Sequence, residues 1–230
     1  MDVKLSKRLS AVAAMIPQGS VVADIGTDHG YLPAYLVMSG VSPYVIATDV
    51  NTGPLAAAEN LISLLAIEKK IDLRLGDGFS VLRPEEAETL VLAGMGASTM
   101  VKIFEQTPLV LSKAKRLILQ PMRGTDKIRL WLSKYGWEIQ DEELVYEDQI
   151  FYEIIAAEPG HSILSNEEIE IGPVLLKKKH PLLKDFLMGK IHVLKSIENS
   201  LQNSTKPKAQ SQRRKINEKI NTLERVILCL

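Results

Sequence analysis

The sequence predicts an α/β fold: a mostly parallel sheet wrapped by helices, closed by an antiparallel strand pair and followed by a helical extension. Three observations predict it. Short apolar runs alternate with helical patterns through the first part of the chain, the rhythm of parallel strands joined by crossover helices. Most of those runs end in a turn carrying glycine or a carboxylate. The remainder repeats apolar residues at alternating spacings of three and four, which is the seam of a coiled coil.

Taken in order, 21–25 is the first strand, 31–39 a helix, and 44–48 a second strand that ends at Asp49. A helix rich in Ala and Leu follows over 55–66, then a short strand over 71–75 leading into Gly76-Asp77-Gly78. A fourth strand, 89–93, leads into Gly94-Met95-Gly96, and a fifth, 116–119, ends at Gln120-Pro121. Helices are expected over 98–105 and 127–134, the second stopping near Gly136. Two β-rich runs, 137–146 and 150–158, are split by Glu147-Asp148-Gln149 and read as a hairpin. A sheet of this kind is the one expected of a class I (Rossmann-like) methyltransferase, with a body over 1–160 and a helical coiled-coil domain over 161–230.

In that extension Leu183, Leu187, Ile191, Leu194, Ile197 and Leu201 form one seam, and Ile216, Ile220, Leu223, Ile227 and Leu230 a second. A break at Lys206-Pro207 lets the two pair as an antiparallel coiled coil, with Pro181 marking the start of the first helix.

Composition narrows the classes of function. The chain has 230 residues, 46% of them hydrophobic, enough for one packed domain and an appendage. No apolar run reaches the roughly 18 residues that span a bilayer, so no membrane role is expected. A single cysteine, Cys229, excludes an intrachain disulfide and a thiolate metal site and fits a cytoplasmic address. His29, His161, His180 and His192 show no ligand spacing, so no metal is expected. The net charge is zero, yet from His161 onward there are 13 Lys and Arg against 7 Asp and Glu, and before it 15 against 21. An appendage near +6 beside a body near −6 points to contact with a polyanion; solvated lysines kept for solubility are the plainer explanation.

The most informative segment is Asp24-x-Gly26-x-x-x-Gly30 at the end of the first strand. It is not the dinucleotide fingerprint, which wants a third glycine and a phosphate on the helix N-terminus. Two carboxylates, Asp24 and Asp28, would repel a pyrophosphate but suit a cofactor with sulfonium and amino charges, which S-adenosylmethionine carries. Asp49 stands at about the interval at which an acid after the second strand accepts from ribose hydroxyls. Asp77 is placed to accept from the adenine amino group, while Gly78 lets the backbone approach the ring; alone, it would be an ordinary Asp-Gly turn. Gly94, Met95 and Gly96 floor the site beside the methyl donor.

These residues resemble the bacterial tRNA adenine-22 N1-methyltransferases. The resemblance rests on Lys4-Leu-Ser-Lys-Arg-Leu9, Ala23-Asp-Ile-Gly-Thr-Asp-His-Gly-Tyr-Leu-Pro33, Gly76-Asp-Gly78, Ala93-Gly-Met-Gly96 and Leu119-Gln-Pro121. It covers nearly the whole body and continues less specifically through the extension. It implies methyl transfer from S-adenosylmethionine to N1 of one adenine in the D-arm region of tRNA. The Asn/Asp-Pro-Pro-aromatic motif of many other adenine methyltransferases is absent; Gly94-Met95-Gly96 stands there instead. That departure fits N1, whose lone pair is available without prior proton removal.

Catalysis is then positioning and electrostatics. Asp28 is the candidate to accept from the adenine N6 amino group, and capping the helix that starts near Gly30 is its competing role. His29 and Tyr31 are placed to stack on or hydrogen-bond the adenine, or to line the cofactor. Gln120 would read the Watson-Crick edge. Lys7, Arg8, Lys177, Lys178, Lys179, Lys184, Arg213, Arg214 and Lys215 are candidates for tRNA phosphates. The coiled coil equally suits dimerisation. Two other classes of function stay open: a catalytically silent S-adenosylmethionine-binding module recruiting a protein through its coiled coil, and methylation of a small molecule or protein.

Overall fold

The computed structural model describes residues 3–202 and 207–230. The chain divides into two compact units, the first ending at Leu164 and the second spanning Ser165–Leu230.

The first unit runs α1 (Lys7–Ala14), β1 (Val22–Ile25), α2 (Tyr31–Met38), β2 (Val45–Asp49), α3 (Thr52–Leu64), β3 (Ile71–Leu75), β4 (Thr89–Met95), α4 (Ala97–Gln106), α5 (Pro108–Leu111), β5 (Arg116–Pro121), α6 (Thr125–Lys134), β6 (Trp137–Glu147) and β7 (Ile150–Pro159). The strands form one sheet in the order β3-β2-β1-β4-β5-β7-β6. The first five are parallel, and β7 turns back against both β5 and β6. Every residue of β1 and β2 is buried, because helices cover both faces of a parallel sheet. This is why those strands read as mostly apolar, with Asp24, Thr48 and Asp49 toward their carboxyl ends.

α2 begins at Tyr31 as its pattern suggests, whereas α3, α4 and α6 begin one to three residues earlier than theirs. Pro54 stands inside the first turn of α3, as Pro33 does in α2. First-turn N–H groups have no intrahelical acceptor, so a proline there removes nothing. The strand order reverses at β1 and β4, where the chain leaves β1 toward β2 on one side and returns to β4 on the other. Such a switch point opens a crevice at the carboxyl ends of the strands.

Beneath the sheet, Val12 and Ile16 pack with Leu36, Val45, Val91, Ile118 and Ile154 in one continuous core. α1 is seated on this core and pinned at its start. The Glu147 carboxylate accepts from the backbone N–H of Lys7 at 2.6 Å and of Arg8 at 3.2 Å, satisfying donors that a helix start leaves open. The hairpin is tied to α6 by Arg129, fully buried, whose Nε donates to Glu142 at 2.7 Å and Nη2 to Glu153 at 2.8 Å.

The second unit holds α7 (Asn166–Ile171), α8 (Pro173–Lys178), α9 (Leu183–Leu201) and α10 (Pro207–Ile227). A capping box, with Ser165 and Glu168 exchanging hydrogen bonds, starts α7. Lys195 pairs with Glu224 and Glu198 with Arg213, so residues rising along α9 meet residues falling along α10, the mark of antiparallel packing. The seam uses Ile216, Ile220, Leu223 and Val226, with Val226 buried and Leu230 exposed. α9 begins at Leu183 rather than Pro181, which lies in the preceding turn. Of the expected break, Lys206 lies outside the described residues.

Candidate active site

At the carboxyl ends of β1 and β2 and in the turn after β3 lies a cleft of about 560 Å³, within the range of small-molecule sites. Asp24, Gly26, Asp28, His29, Tyr31, Asp49, Asp77, Gly78, Gly94 and Met95 all line it. The structure thus brings together most of the residues the sequence singled out.

Three carboxylates define its chemistry. Asp24 is the penultimate residue of β1 and only 4% exposed. Burial, reinforced by the nearby Asp49 charge, pushes its carboxyl up to about 6, against some relief from Thr27. Asp49 is fixed rather than free to swing: Oδ1 accepts from Asn51 N at 2.8 Å and Oδ2 from Asp28 N at 3.2 Å. Each oxygen keeps a second lone pair for a ligand hydroxyl. Asp77 is exposed at the opposite side of the turn, where no side-chain bond of its own caps the following 3-10 helix.

A cationic nucleoside fits this donor set. Burial and the neighbouring Asp49 charge make ionising Asp24 costly, and a positive ligand relieves that cost. The floor is close-fitting, since a Cβ on Gly26 would stand 2.7 Å from the Met95 methyl.

Asp28 adopts φ +55°, unusual for a residue with a side chain, and that conformation points its N–H at Asp49. Its carboxylate does not cap α2, whose N-cap is Gly30 without any side-chain bond; the competing role is thereby removed. His29 Nε2 lies 3.6 Å from Asp28 Oδ1, and its ring 6.0 Å from that of Tyr31, which is about half exposed.

Other placements differ from expectation. Gln120 is wholly buried and does not line the cleft. Its Oε1 accepts from Arg8 Nη1 at 2.7 Å and Gly94 N at 3.1 Å, and its Nε2 donates to Pro121 O. The carboxamide therefore holds Arg8 and the Gly94 turn instead of presenting an edge to a base. Arg8 takes the wall position, its guanidinium also 5.5 Å above the Tyr152 ring. Sequence spacing could not reveal a pair 112 residues apart.

Gly30 and Gly96 also stand outside the cleft lining. At Gly30, φ is +74° and a Cβ would meet Ala58 Cβ at 2.9 Å, so this glycine serves the contact between α2 and α3. Gly30→Ala is expected to lower stability by about 1–3 kcal/mol through strain and overpacking, measured by urea unfolding. An unchanged midpoint would refute that packing role.

Lys7 is exposed outside the lining, contributing only its backbone N–H to Glu147. Lys177, Lys178 and Lys179 are exposed at the end of α8. Lys179 donates to Cys229 O, Arg213 is held by Glu198, and Arg214 lies 3.6 Å from Glu218. Among the described residues no grouping of three or more His, Cys, Asp or Glu is arranged to hold a metal, and no helix is long and apolar enough to cross a membrane.

Carboxylates at the carboxyl ends of successive parallel strands at the switch point, with a close glycine floor, define a class I S-adenosylmethionine-dependent methyltransferase. Comparison with known proteins specifies it further. Residues 22–225 match the family model of the tRNA (adenine(22)-N(1))-methyltransferases, and the chain belongs to that family. It is 33% identical over 233 residues to the tRNA (adenine(22)-N(1))-methyltransferase of Bacillus subtilis, covering 98% of each chain. The crystal structure of the B. subtilis m1A22 tRNA methyltransferase TrmK superposes with a TM-score of 0.90 at 32% identity, over 98% of this chain and 100% of that one. A putative tRNA (m1A22) methyltransferase of Streptococcus pneumoniae, solved with S-adenosyl-L-methionine, gives 0.88 at 31% identity, over 97% and 100%.

Proposed function

We propose that this protein transfers a methyl group from S-adenosylmethionine to N1 of adenine 22 in tRNA, acting in the cytoplasm. The observation that carries the reading is the family match over 22–225, together with the acid-lined cleft at the switch point. When bound, S-adenosylmethionine supplies an electrophilic methyl on a sulfonium centre.

The chain's own residues do the rest. Asp24 lends negative charge to the cationic end of the cofactor, Asp49 accepts from its ribose hydroxyls, and Asp77 with Gly78 takes the adenine. Met95 on the floor beside Gly26 limits how deep the reacting group sits. Asp28, at the mouth and 70% exposed at its side chain, accepts from the N6 amino group of the target adenine. A carboxylate there draws electron density toward N1 and stabilises the positive charge that the methylated ring acquires. Tyr31 and His29 give the base aromatic surface, and Arg8, braced by Gln120, stands across the cleft for a base edge or phosphate. A catalytically silent cofactor-binding module would need only the cofactor carboxylates, not this open aromatic mouth.

The deciding experiment is methyl transfer to an unmodified tRNA transcript, with nucleoside analysis of the product. We expect 1-methyladenosine at position 22 and none in a transcript with guanine there. Asp28→Asn is expected to lower kcat on the order of 100-fold while leaving cofactor affinity in place. Full activity in that variant would remove Asp28 from the mechanism.

A further inference from the structure

Beside the methyl-transfer cleft lies a second depression, and beyond it a groove, both on the face built by the starts of α4 and α6. Thr99 lines both the cleft and the depression, whose volume is about 240 Å³. Lys127 and Ser98 line both the depression and the groove of about 350 Å³ that continues to Trp131, Lys134 and Tyr135. The three surfaces therefore form one path leading away from the reacting centre.

Arg123 and Lys127 sit where a cation works against helix stability, whereas Lys134 lies in the last turn of α6, where it is favourable. α4 and α6 begin at Gly96 and Gly124, and neither has a side-chain cap. The two starts are joined by the hydrogen bond from Ala97 N to Arg123 O at 3.1 Å. Arg123 Nε stands 3.9 Å from where a Cβ on Gly96 would lie, and Lys127 Cδ 3.6 Å from that point on Gly124. The Arg123 guanidinium thus stands at the start of α4, and Lys127 is carried in the first turn of α6, both at positive helix ends where carboxylates would be favourable. Asp126, in the first turn of α6, offsets part of this. No ion-pair partner of Arg123, Lys127 or Lys134 occurs among the described residues.

The extension is different. Its Arg213, Lys195, Lys219 and Arg225 are all engaged by glutamates. The extension engages these four cations internally, whereas the acidic unit keeps three cations open on one face. The far end of the path offers aromatic surface: Tyr135 is 59% exposed and stacks on Trp131 with ring centres 4.7 Å apart. Trp131 is 92% buried, being 8% exposed, and its indole N–H has no acceptor. Open cations interleaved with an exposed ring suit a nucleic-acid strand, with phosphates on the cations and a base against the ring.

Resting on the methyltransferase reading above, we propose that Arg123, Lys127 and Lys134, with Tyr135, form the track that holds the tRNA backbone next to the target adenine. The track determines how the substrate enters the cleft.

The test is binding of an unmodified tRNA transcript by the full-length protein as a function of salt. Arg123→Ala with Lys127→Ala is expected to weaken binding about tenfold or more and to lower the slope of log K against log salt by about 1.5, the loss of two phosphate contacts. Lys69→Ala with Lys70→Ala removes the same charge at the opposite edge of the sheet, before β3, and is expected to bind as the parent does. Tyr135→Ala is expected to weaken binding about fivefold to tenfold and Tyr135→Phe to restore it. S-adenosylmethionine binding by calorimetry reports that each variant is folded. An unchanged slope in the Arg123 and Lys127 variant, or an equal effect of the Lys69 and Lys70 variant, overturns the track. Parent protein that forms no 1-methyladenosine overturns the functional reading instead, so the two failures are separate.

Discussion

Arg129→Ala is expected to lower the free energy of unfolding by about 3–5 kcal/mol, a large part of the roughly 5–15 kcal/mol that holds a domain together. The guanidinium and the Glu142 side chain are both fully buried, and Glu153 is nearly so. Burial alone would pull the guanidinium's pKa down, but Glu153 and Glu142 outweigh it and hold Arg129 charged. Removing the cation leaves two carboxylates facing each other without water. Arg129→Lys should recover only part of the loss, because an ammonium cannot reach two carboxylates with the fixed fork that a guanidinium presents. Arg129→Met combined with Glu142→Leu and Glu153→Gln should lie closer to the parent than Arg129→Ala does. Urea unfolding measures all three. A loss below about 1 kcal/mol for Arg129→Ala would show that water reaches the triad.

The second large effect concerns Asp24, where stability and ligand binding should move in opposite directions with pH. Its carboxyl titrates near 6 in the folded protein against 3.8 ordinarily. Between those values the folded form holds a proton that the unfolded chain has released, so the ligand-free protein loses stability as pH rises through this window. The full difference, reached above pH 6, is about 3 kcal/mol at 1.36 kcal/mol per unit. Asp24→Asn should therefore be more stable than the parent at pH 7.5, with the gap closing by pH 4. The cationic cofactor wants the ionised form, so affinity in the parent should fall as pH drops through 6. Asp24→Asn should bind it on the order of 10- to 100-fold more weakly, losing an interaction with a charged group, and without that pH dependence. Calorimetry and thermal unfolding across pH 4–8 measure both; a variant that is less stable yet binds normally would contradict the assignment.

Much of the fold was legible because parallel strands and their turns leave strong local marks. β3 begins and ends where its apolar run does, and the hairpin turns where Glu147-Asp148-Gln149 interrupts two β-rich stretches. Asp24, Asp49 and Asp77, which line the cleft, were legible for the same reason, each standing at or just past the carboxyl end of a strand. Residues whose role comes from distant partners left no such mark. Arg129 looks like any charged residue in an amphipathic helix until β6 and β7 supply its glutamates. Gln120 stands at the carboxyl end of β5 as a site residue should, yet Arg8 and Gly94 claim its oxygen. α7 had a readable signal in Ser165-x-x-Glu168, whereas the four residues of α5 are too few for a hydrophobic period to show. Net charge counts charges without their pairing, so the glutamates that engage Lys195, Arg213, Lys219 and Arg225 left no mark in it.

The clasp between Glu147 and the start of α1 fixes an order of events during synthesis. α1, which leaves the ribosome well before the hairpin, rests on the Glu147 carboxylate at the end of β6, and Arg8, which it carries, leans on Tyr152. Domains generally fold as units as they emerge, so α1 has to wait for β6 and β7 before it can dock. The wall of the cleft that Arg8 provides is therefore completed last, and a nascent chain stalled before the hairpin would have its cofactor carboxylates without the side that faces them.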